Sequence, residues 1–545
     1  MPAHLPRRST HSKARRHHWC LCAALLLAAT PVRAEQAAPT TPEAKRVTVV
    51  PESVKEELRE ELTRDVLEEA KRQNFGAPYQ YPSWTRRFSF YGDVRARFER
   101  DLFGKGNANG GEFPDFNAIN AGTGFDVNGI DLANDRYLNV DQNRTRPRLR
   151  ARFGVDVDVG SGFTSGLRIA SGDGSTPVST NQTLGGAPGN FSKYQVWLDR
   201  AFIRWQPVQE TGGSLAFEVG RFENPFFTLL DFIWDEDVNF DGLAGRGSVQ
   251  LGDFRPFFVA GAFPVFTTAF SFAPEQTAKF PSLNKWLYAG QLGTDWKLGD
   301  AVFLKFGAAF YYFWRTEGRV GGPCDTHLKG ISCDSDESRP SFSQKGNTYR
   351  AIRTPSDAAL AAEAASPLTP RYQYFGLSSH FRELVGTLRI DVDVAEPLRV
   401  TLDGEVVRNL GFKPSEIAEN ALNNLGPCTS VPTGDGTAPP PECGKYVGGR
   451  DGYQARVTVG SPTQRNQLDW NVSATYRYLE SDAVVDAFAD SDFGLGGTNL
   501  KGYILSGTLF VATNVSLRAR WFSANNIVGP TYRADVFQLD LNARF

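Results

Sequence analysis

The sequence predicts an all-β protein: a transmembrane, antiparallel, up-and-down β-barrel of about sixteen strands, preceded by a short N-terminal amphipathic helix. Three observations carry this. Apolar and polar residues alternate with period two from Arg87 to the final Phe545. The alternating runs span about ten residues each, which is what a tilted strand needs to cross a bilayer. The connections between runs are short and long by turns along the whole region.

Composition sets the frame. The 545 residues are 41% hydrophobic and 22% charged, which fits a folded chain rather than a disordered one. The first 34 residues carry six Lys/Arg and no acid, so removing them leaves 53 basic against 61 acidic side chains. That balance gives no reason to expect nucleic acid as a partner.

The N-terminus reads as a secretory signal peptide, residues 1–34. Arg7, Arg8, Lys13, Arg15 and Arg16 form a basic n-region, Trp19 to Ala29 is apolar, and Val32-Arg33-Ala34 fits the cleavage site. The apolar run is too short for a membrane anchor. A linker (35–53) follows, then Val54, Leu58, Leu62, Val66 and Ala70 recur every four residues among charges. This predicts an amphipathic helix over 54–76, a possible coiled coil placed in the periplasm, marginal alone and suited to self-association or docking. A second linker (77–86) leads to the barrel, 87–545.

The strands declare themselves by parity. Val94, Ala96 and Phe98 alternate with Asp93, Arg95, Arg97 and Glu99, and Leu149, Ala151 and Phe153 with Arg148, Arg150 and Arg152. Val302 to Tyr312, Leu384 to Val394, Leu468 to Tyr478 and Phe537 to Phe545 repeat the pattern. Short turns fall near 160–162, 207–213, 252–253, 299–300, 395–397, 461–465 and 513–514. Longer connections fall near 100–143, 171–193, 223–243, 264–285, 316–380, 411–449, 482–499 and 524–531. An even strand count with short turns on one side is the bacterial outer-membrane pattern. Around Trp197 to Trp205 the alternation slips, as at a bulge. Aromatic clusters at strand ends, such as Phe310 to Trp314, fit interfacial girdles. A soluble sandwich would need a second sheet over each apolar face and would not explain the alternation of connections.

Parity also sorts side chains between lipid and lumen. An arginine row facing lipid costs several kcal/mol, so Arg95, Arg97, Arg148, Arg150 and Arg152 are expected to line a water-filled pore. A competing reading has them neutralised by lumen acids such as Asp156, Asp158, Asp391 and Asp393. Four cysteines follow the signal segment, in two close pairs within Gly/Pro/Asp-rich stretches. Export makes the disulfides Cys324–Cys333 and Cys428–Cys443 plausible, each worth about 2–4 kcal/mol to its loop. Their spacing does not suit zinc, and no metal or cofactor is expected.

Several stretches resemble a bacterial family of porins. They are residues 50–103, PVSTNQTLGG (177–186), LDRAFIRWQP (198–207), VGRFENPFF (219–227) and WDEDVNFDGLAG (234–245). The resemblance spans nearly the whole mature chain and is most specific in its first third. It implies a Gram-negative outer-membrane channel for passive diffusion of small hydrophilic solutes and ions, with no particular substrate. Phe545 looks like the signal read by the outer-membrane assembly machinery, and outer-membrane lipid with lipopolysaccharide would surround the barrel. A homotrimer is the default for such barrels. By analogy with general porins, the third long connection would fold inward, its Asp231, Asp235, Glu236 and Asp237 opposing the arginine ladder across a constriction.

Two other functions remain to be weighed. A hydrolase would need an oriented Ser–His pair, and after the signal segment only His327 and His380 are available, the latter beside Ser378 and Ser379. The GDGS run at 172–175 lacks the lysine and helix of a phosphate loop. A plugged barrel with a structural or adhesive role would share every strand feature, but the charged inward rows favour a wet lumen.

Overall fold

The computed structural model describes residues 61–66, 68 and 83–545, apart from 109, 135, 173, 175, 188, 230 and 428–442. The chain divides into two units, 1–80 and 81–545. In the first, the described residues 61–66 and 68 are helical, with Leu62 and Val66 exposed. The expected signal peptide, the first linker, most of the expected helix and residues 77–82 of the second linker lie outside the described residues, and Ser83–Arg87 form a short 3-10 turn.

The second unit is a closed barrel of sixteen antiparallel strands. In chain order they are β1 (Phe88–Phe103), β2 (Arg144–Gly160), β3 (Phe163–Ser171), β4 (Val196–Glu210), β5 (Gly213–Glu223), β6 (Asn239–Val249), β7 (Phe254–Phe266), β8 (Lys285–Leu298), β9 (Val302–Trp314), β10 (Arg382–Ala395), β11 (Leu398–Asn409), β12 (Asp451–Gly460), β13 (Trp470–Leu479), β14 (Leu500–Ala512), β15 (Val515–Asn526) and β16 (Arg533–Arg544). Each pairs with its sequence neighbours, and β1 closes the ring by pairing with β16 from Asp93–Arg544 to Phe103–Ala534. A two-residue strand, Gln182–Thr183, adds to β2 from inside the second long loop.

Closure brings the last residue to the first strand. Gly92 and Phe545 exchange backbone hydrogen bonds of 3.0 and 3.1 Å. A Cβ on Gly92 would sit 2.6 Å from the Phe545 ring and 2.4 Å from the Arg152 carbonyl, so only glycine fits. The slip near Trp197 is real. The β3–β4 register shifts at Arg168/Ile169, and β4–β5 shifts between Trp205 and Val208.

The wall is inside-out relative to a soluble protein. On β1, Asp93, Arg95, Arg97, Glu99 and Asp101 are buried while Val94 and Phe98 are exposed on the outer face. Outward aromatics stack in rows near both ends. Phe90–Phe153 and Phe163–Trp205–Phe217 lie toward the short turns, and Tyr453 stacks with Tyr476 and Tyr478 toward the loops. Two such girdles flanking an apolar band are what a bilayer requires. No helix among the described residues is long and apolar enough to cross a membrane; the strands do so instead.

Candidate channel lining and constriction

Three long loops fill the barrel: L2 (172–195), L3 (224–238) and L7 (480–499). L3 enters because its side chains are apolar and the wall offers them a seat. Phe226 packs edge-on to Tyr311 at 5.2 Å, and Trp234 lies 4.8 Å from Phe240 and 5.4 Å from Tyr311. Phe232, Ile233 and Trp234 are all buried. Gln291 of β8 fixes the start of the loop: its amide accepts from the Phe227 N–H at 2.8 Å and donates to the Phe227 carbonyl at 2.7 Å.

The far end of L3 reaches the arginine rows of β1 and β2. Glu236 pairs with Arg150 at 3.0 Å and Arg95 at 3.3 Å. Asp237 pairs with Arg152 at 3.3 Å and accepts from the Thr180 backbone and hydroxyl at 3.0 Å each. Desolvation would raise the Glu236 carboxyl, but the Arg150 and Arg95 guanidiniums overcome it and hold it well below the usual carboxylate range. L2 contributes Asn181, which accepts from Arg95 at 2.7 Å. Thus L3 does fold inward, but Glu236 and Asp237 touch the ladder rather than face it across a gap.

Asp231 and Asp235 take a different part. Asp235 accepts from the Ser491 N–H at 2.9 Å and its own N–H donates to the Phe488 carbonyl at 2.8 Å, stitching L3 to L7. Asp231 accepts from the Glu236 N–H at 3.2 Å, and its carbonyl receives the Arg477 guanidinium. Burial, with the neighbouring Glu236 and Asp490, pushes the Asp231 carboxyl up to about 7. Burial and Asp231 raise Asp235 as well.

The ladder's other partners lie on β1, β16 and L7. Arg150 and Arg152 share Asp93 at 3.0 and 2.6 Å, and Arg148 and Arg146 meet Glu99 at 3.2 and 2.6 Å. Arg97 forks onto Asp540 at 2.7 Å and reaches Asp492 of L7 at 3.3 Å. Arg520 joins the same Asp492 at 3.0 Å, and Arg477 holds Asp490 at 2.6 Å. These carboxylates, not Asp156, Asp158, Asp391 or Asp393, neutralise the arginines. Asp93, Glu99 and Asp540 share the inward parity of the arginines, so the signal existed; Asp490 and Asp492 sit on a loop, where parity says nothing.

Two cavities approach this junction from opposite ends. The turn-side one, of about 510 Å³, is lined by Arg95, Arg150, Arg389, Arg399, Arg456, Arg518 and Arg544 against Glu236, Asp391, Asp403 and Asp540. The loop-side one, of about 540 Å³, carries Arg144, Arg146, Arg148 and Lys345 against Asp101 and Asp115. Both walls are therefore cation-rich.

Elsewhere, Cys324 and Cys333 are bonded, with Cα atoms 5.8 Å apart; Cys428, the partner expected for Cys443, falls outside the described residues. His380 faces Glu317 through Nδ1 at 3.4 Å, while the Ser379 hydroxyl donates to the His380 backbone carbonyl. Neither contact forms a Ser–imidazole pair.

Comparison with known proteins follows the same lines. The family described as "Putative porin" matches over residues 9–545. No curated protein matches the chain. Among solved structures, the chain is similar to the outer-membrane channel DcaP of Acinetobacter baumannii. Identity there is 11%, covering 84% of this chain and 97% of that one, with a TM-score of 0.36. It is also similar to Pseudomonas putida OprB (10% identity, 85% and 95% covered, TM-score 0.40). A third is an anion-selective porin of Comamonas acidovorans (9%, 84% and 99%, TM-score 0.31). The chain belongs to this porin family, and its sixteen-stranded barrel is that of an outer-membrane channel.

Proposed function

We propose that solutes diffuse along the arginine-lined side of the barrel, and that the channel prefers small hydrophilic anions. The supporting observation is the turn-side cavity, where seven guanidiniums face four carboxylates. An excess of one sign in a confined, partly desolvated passage raises the local concentration of counter-ions and sets selectivity. The narrow segment lies where Glu236 and Asp237 meet Arg95, Arg150 and Arg152, with Arg97 and Arg148 beside them.

Residues 1–34 act as signal peptide and 54–76 as a periplasmic helix between linkers at 35–53 and 77–86. The short turns face the periplasm, Phe545 engages the assembly machinery, and the barrel works as a homotrimer in lipopolysaccharide-bearing membrane. Its role is transport rather than catalysis.

The test is single-channel conductance of the refolded protein in planar bilayers, with the reversal potential in a salt gradient. Discrete, salt-dependent steps with anion preference are expected. Changing Asp235→Asn, Glu236→Gln and Asp237→Asn together should shift the reversal potential further toward anions. Unchanged selectivity would sink the constriction, and silence from a demonstrably folded barrel would move the reading to a plugged, structural barrel.

A further inference from the structure

A second kind of cavity opens at the loop end of β6–β9, away from the arginine rows. It has a volume of about 380 Å³, and its walls include Trp234, Phe240, Phe263, Phe313, Phe342 and Phe488. These six aromatics come from L3, L7, the fifth long loop and three strands, so the chamber exists only in the assembled barrel.

Lys285 of β8 lines this chamber and is 2% exposed. Its ammonium donates to the carbonyls of Ser338, at 3.1 Å, and Arg339, and lies 5.0 Å over the Phe266 ring. It makes no ion pair among the described residues. Neither nearby acid pairs with it: Glu317 meets His380 at 3.4 Å, and Glu337 accepts from the Ala269 N–H at 3.4 Å through one oxygen only. The chamber's other cation, Arg221, is already paired with Asp241 at 2.9 Å. Thr316, also on the lining, has a buried hydroxyl without a hydrogen-bond partner.

A buried cation without a counter-charge is costly, and an incoming anionic group offsets that cost. Aromatic walls around it favour a flat apolar body behind the anion. We infer that this chamber is a binding site for small aromatic carboxylates, the ring lying among the six aromatics and the carboxylate against Lys285, with the Thr316 hydroxyl as a further donor. The channel would then hold a saturable subsite beside its diffusion path. This rests on the channel reading for access to the chamber, whereas binding itself can be measured without conductance.

The experiment is calorimetric and tryptophan-fluorescence titration of the purified full-length barrel with benzoate, benzyl alcohol and acetate. Saturable benzoate binding is expected, about tenfold tighter than benzyl alcohol, because the charge-assisted contact is lost in the neutral probe. Acetate should neither bind nor compete. Lys285→Gln should weaken benzoate by about the same tenfold. Because Lys285 also holds two loop carbonyls, Phe342→Ala provides a variant that leaves those bonds in place; it should weaken benzoate and benzyl alcohol alike. No saturable benzoate binding by the folded barrel overturns the inference, as does equal affinity for benzyl alcohol or an unaltered Lys285→Gln. A barrel that conducts without binding benzoate overturns this site and leaves the channel standing; one that binds without conducting does the reverse.

Discussion

The two sides of the lumen are built from the same alternating pattern and do opposite work. On β1, β2, β15 and β16 the inward positions include Asp93, Arg95, Arg97, Glu99, Arg148, Arg150, Arg520 and Asp540, joined in two ion-pair clusters: Asp93 and Arg150 with Arg95 through Glu236, and Arg97, Glu99, Arg148, Arg520 and Asp540. Toward the loop end of β6 to β9 they are mainly apolar, Phe240, Phe263, Leu287, Tyr311 and Phe313, all buried. The first side satisfies its charges by pairing them with one another and with the acids of L3 and L7. The second is apolar and must be covered, so it draws in L3. That loop spans both, with Phe226 and Trp234 on the aromatic wall and Glu236 and Asp237 on the arginines. Parity decides which side chains face inward; their chemistry decides whether the wall lines a passage or seats a loop.

The sharpest way to break this contrast is to remove the seat. Trp234 is 4% exposed and contacts Phe240, Tyr311, Phe313 and Phe488. Trp234→Ala should therefore cost about 3–5 kcal/mol, the range for deleting a buried aromatic. Urea unfolding of the refolded barrel measures it, and conductance should rise as L3 leaves the lumen. A change within about 0.5 kcal/mol, typical of surface substitutions, would mean that L3 is not held by this wall.

Most of the barrel was legible in the sequence, and the reason is physical. Lipid outside and polar lumen inside force period two on every strand, so strand count, turn order and the inward facing of Arg95, Arg97, Arg148, Arg150 and Arg152 all follow from parity. The inward course of L3 was readable from Phe226, Phe227, Phe232 and Trp234, which are too apolar for an extracellular loop. The contacts were not. Asp235, which the sequence places opposite the arginines, bonds the L7 backbone, and no pattern points to Asp492 as a partner of Arg97. Loop pairings such as these depend on where one loop lands on another, and no periodicity records that.

Titration of L3 offers a gentler probe of the same boundary. In the barrel the Asp231 carboxyl is raised from the ordinary 3.8 to about 7 by burial, then by Glu236 and Asp490. A raised carboxylate binds its proton more tightly in the packed state, so packing is most stable with the acid neutral. Its contribution falls as pH rises from about 4 to 7 and is level above. Seating of L3 should thus loosen over this window, with larger or noisier conductance at pH 8 than at pH 5. Asp231→Asn, neutral throughout, should flatten that dependence. The same pH profile in the variant would transfer the effect to another group.

The smallest expected effect distinguishes rungs within the arginine side itself. Arg150 is nine-tenths enclosed and holds Asp93, Glu236 and Asp237, whereas the Arg146 side chain is 37% exposed at the loop-side mouth. Arg146 does meet Glu99 at 2.6 Å and Asp101 at 3.1 Å. Glu99 keeps Arg148 at 3.2 Å and the Gln538 amide at 2.9 Å when Arg146 is gone, whereas the buried Asp101 loses its one ion pair among the described residues and needs the amide of the glutamine in its place. With that amide donating to Asp101, Arg146→Gln should cost about 1 kcal/mol, the usual worth of a partly exposed pair. It should also move the reversal potential slightly toward cations, since one guanidinium leaves the loop-side cavity. A loss of several kcal/mol in urea unfolding would show instead that the mouth is as dry as the junction below it, and the division between a wet passage and a packed wall would have to be drawn nearer the loops.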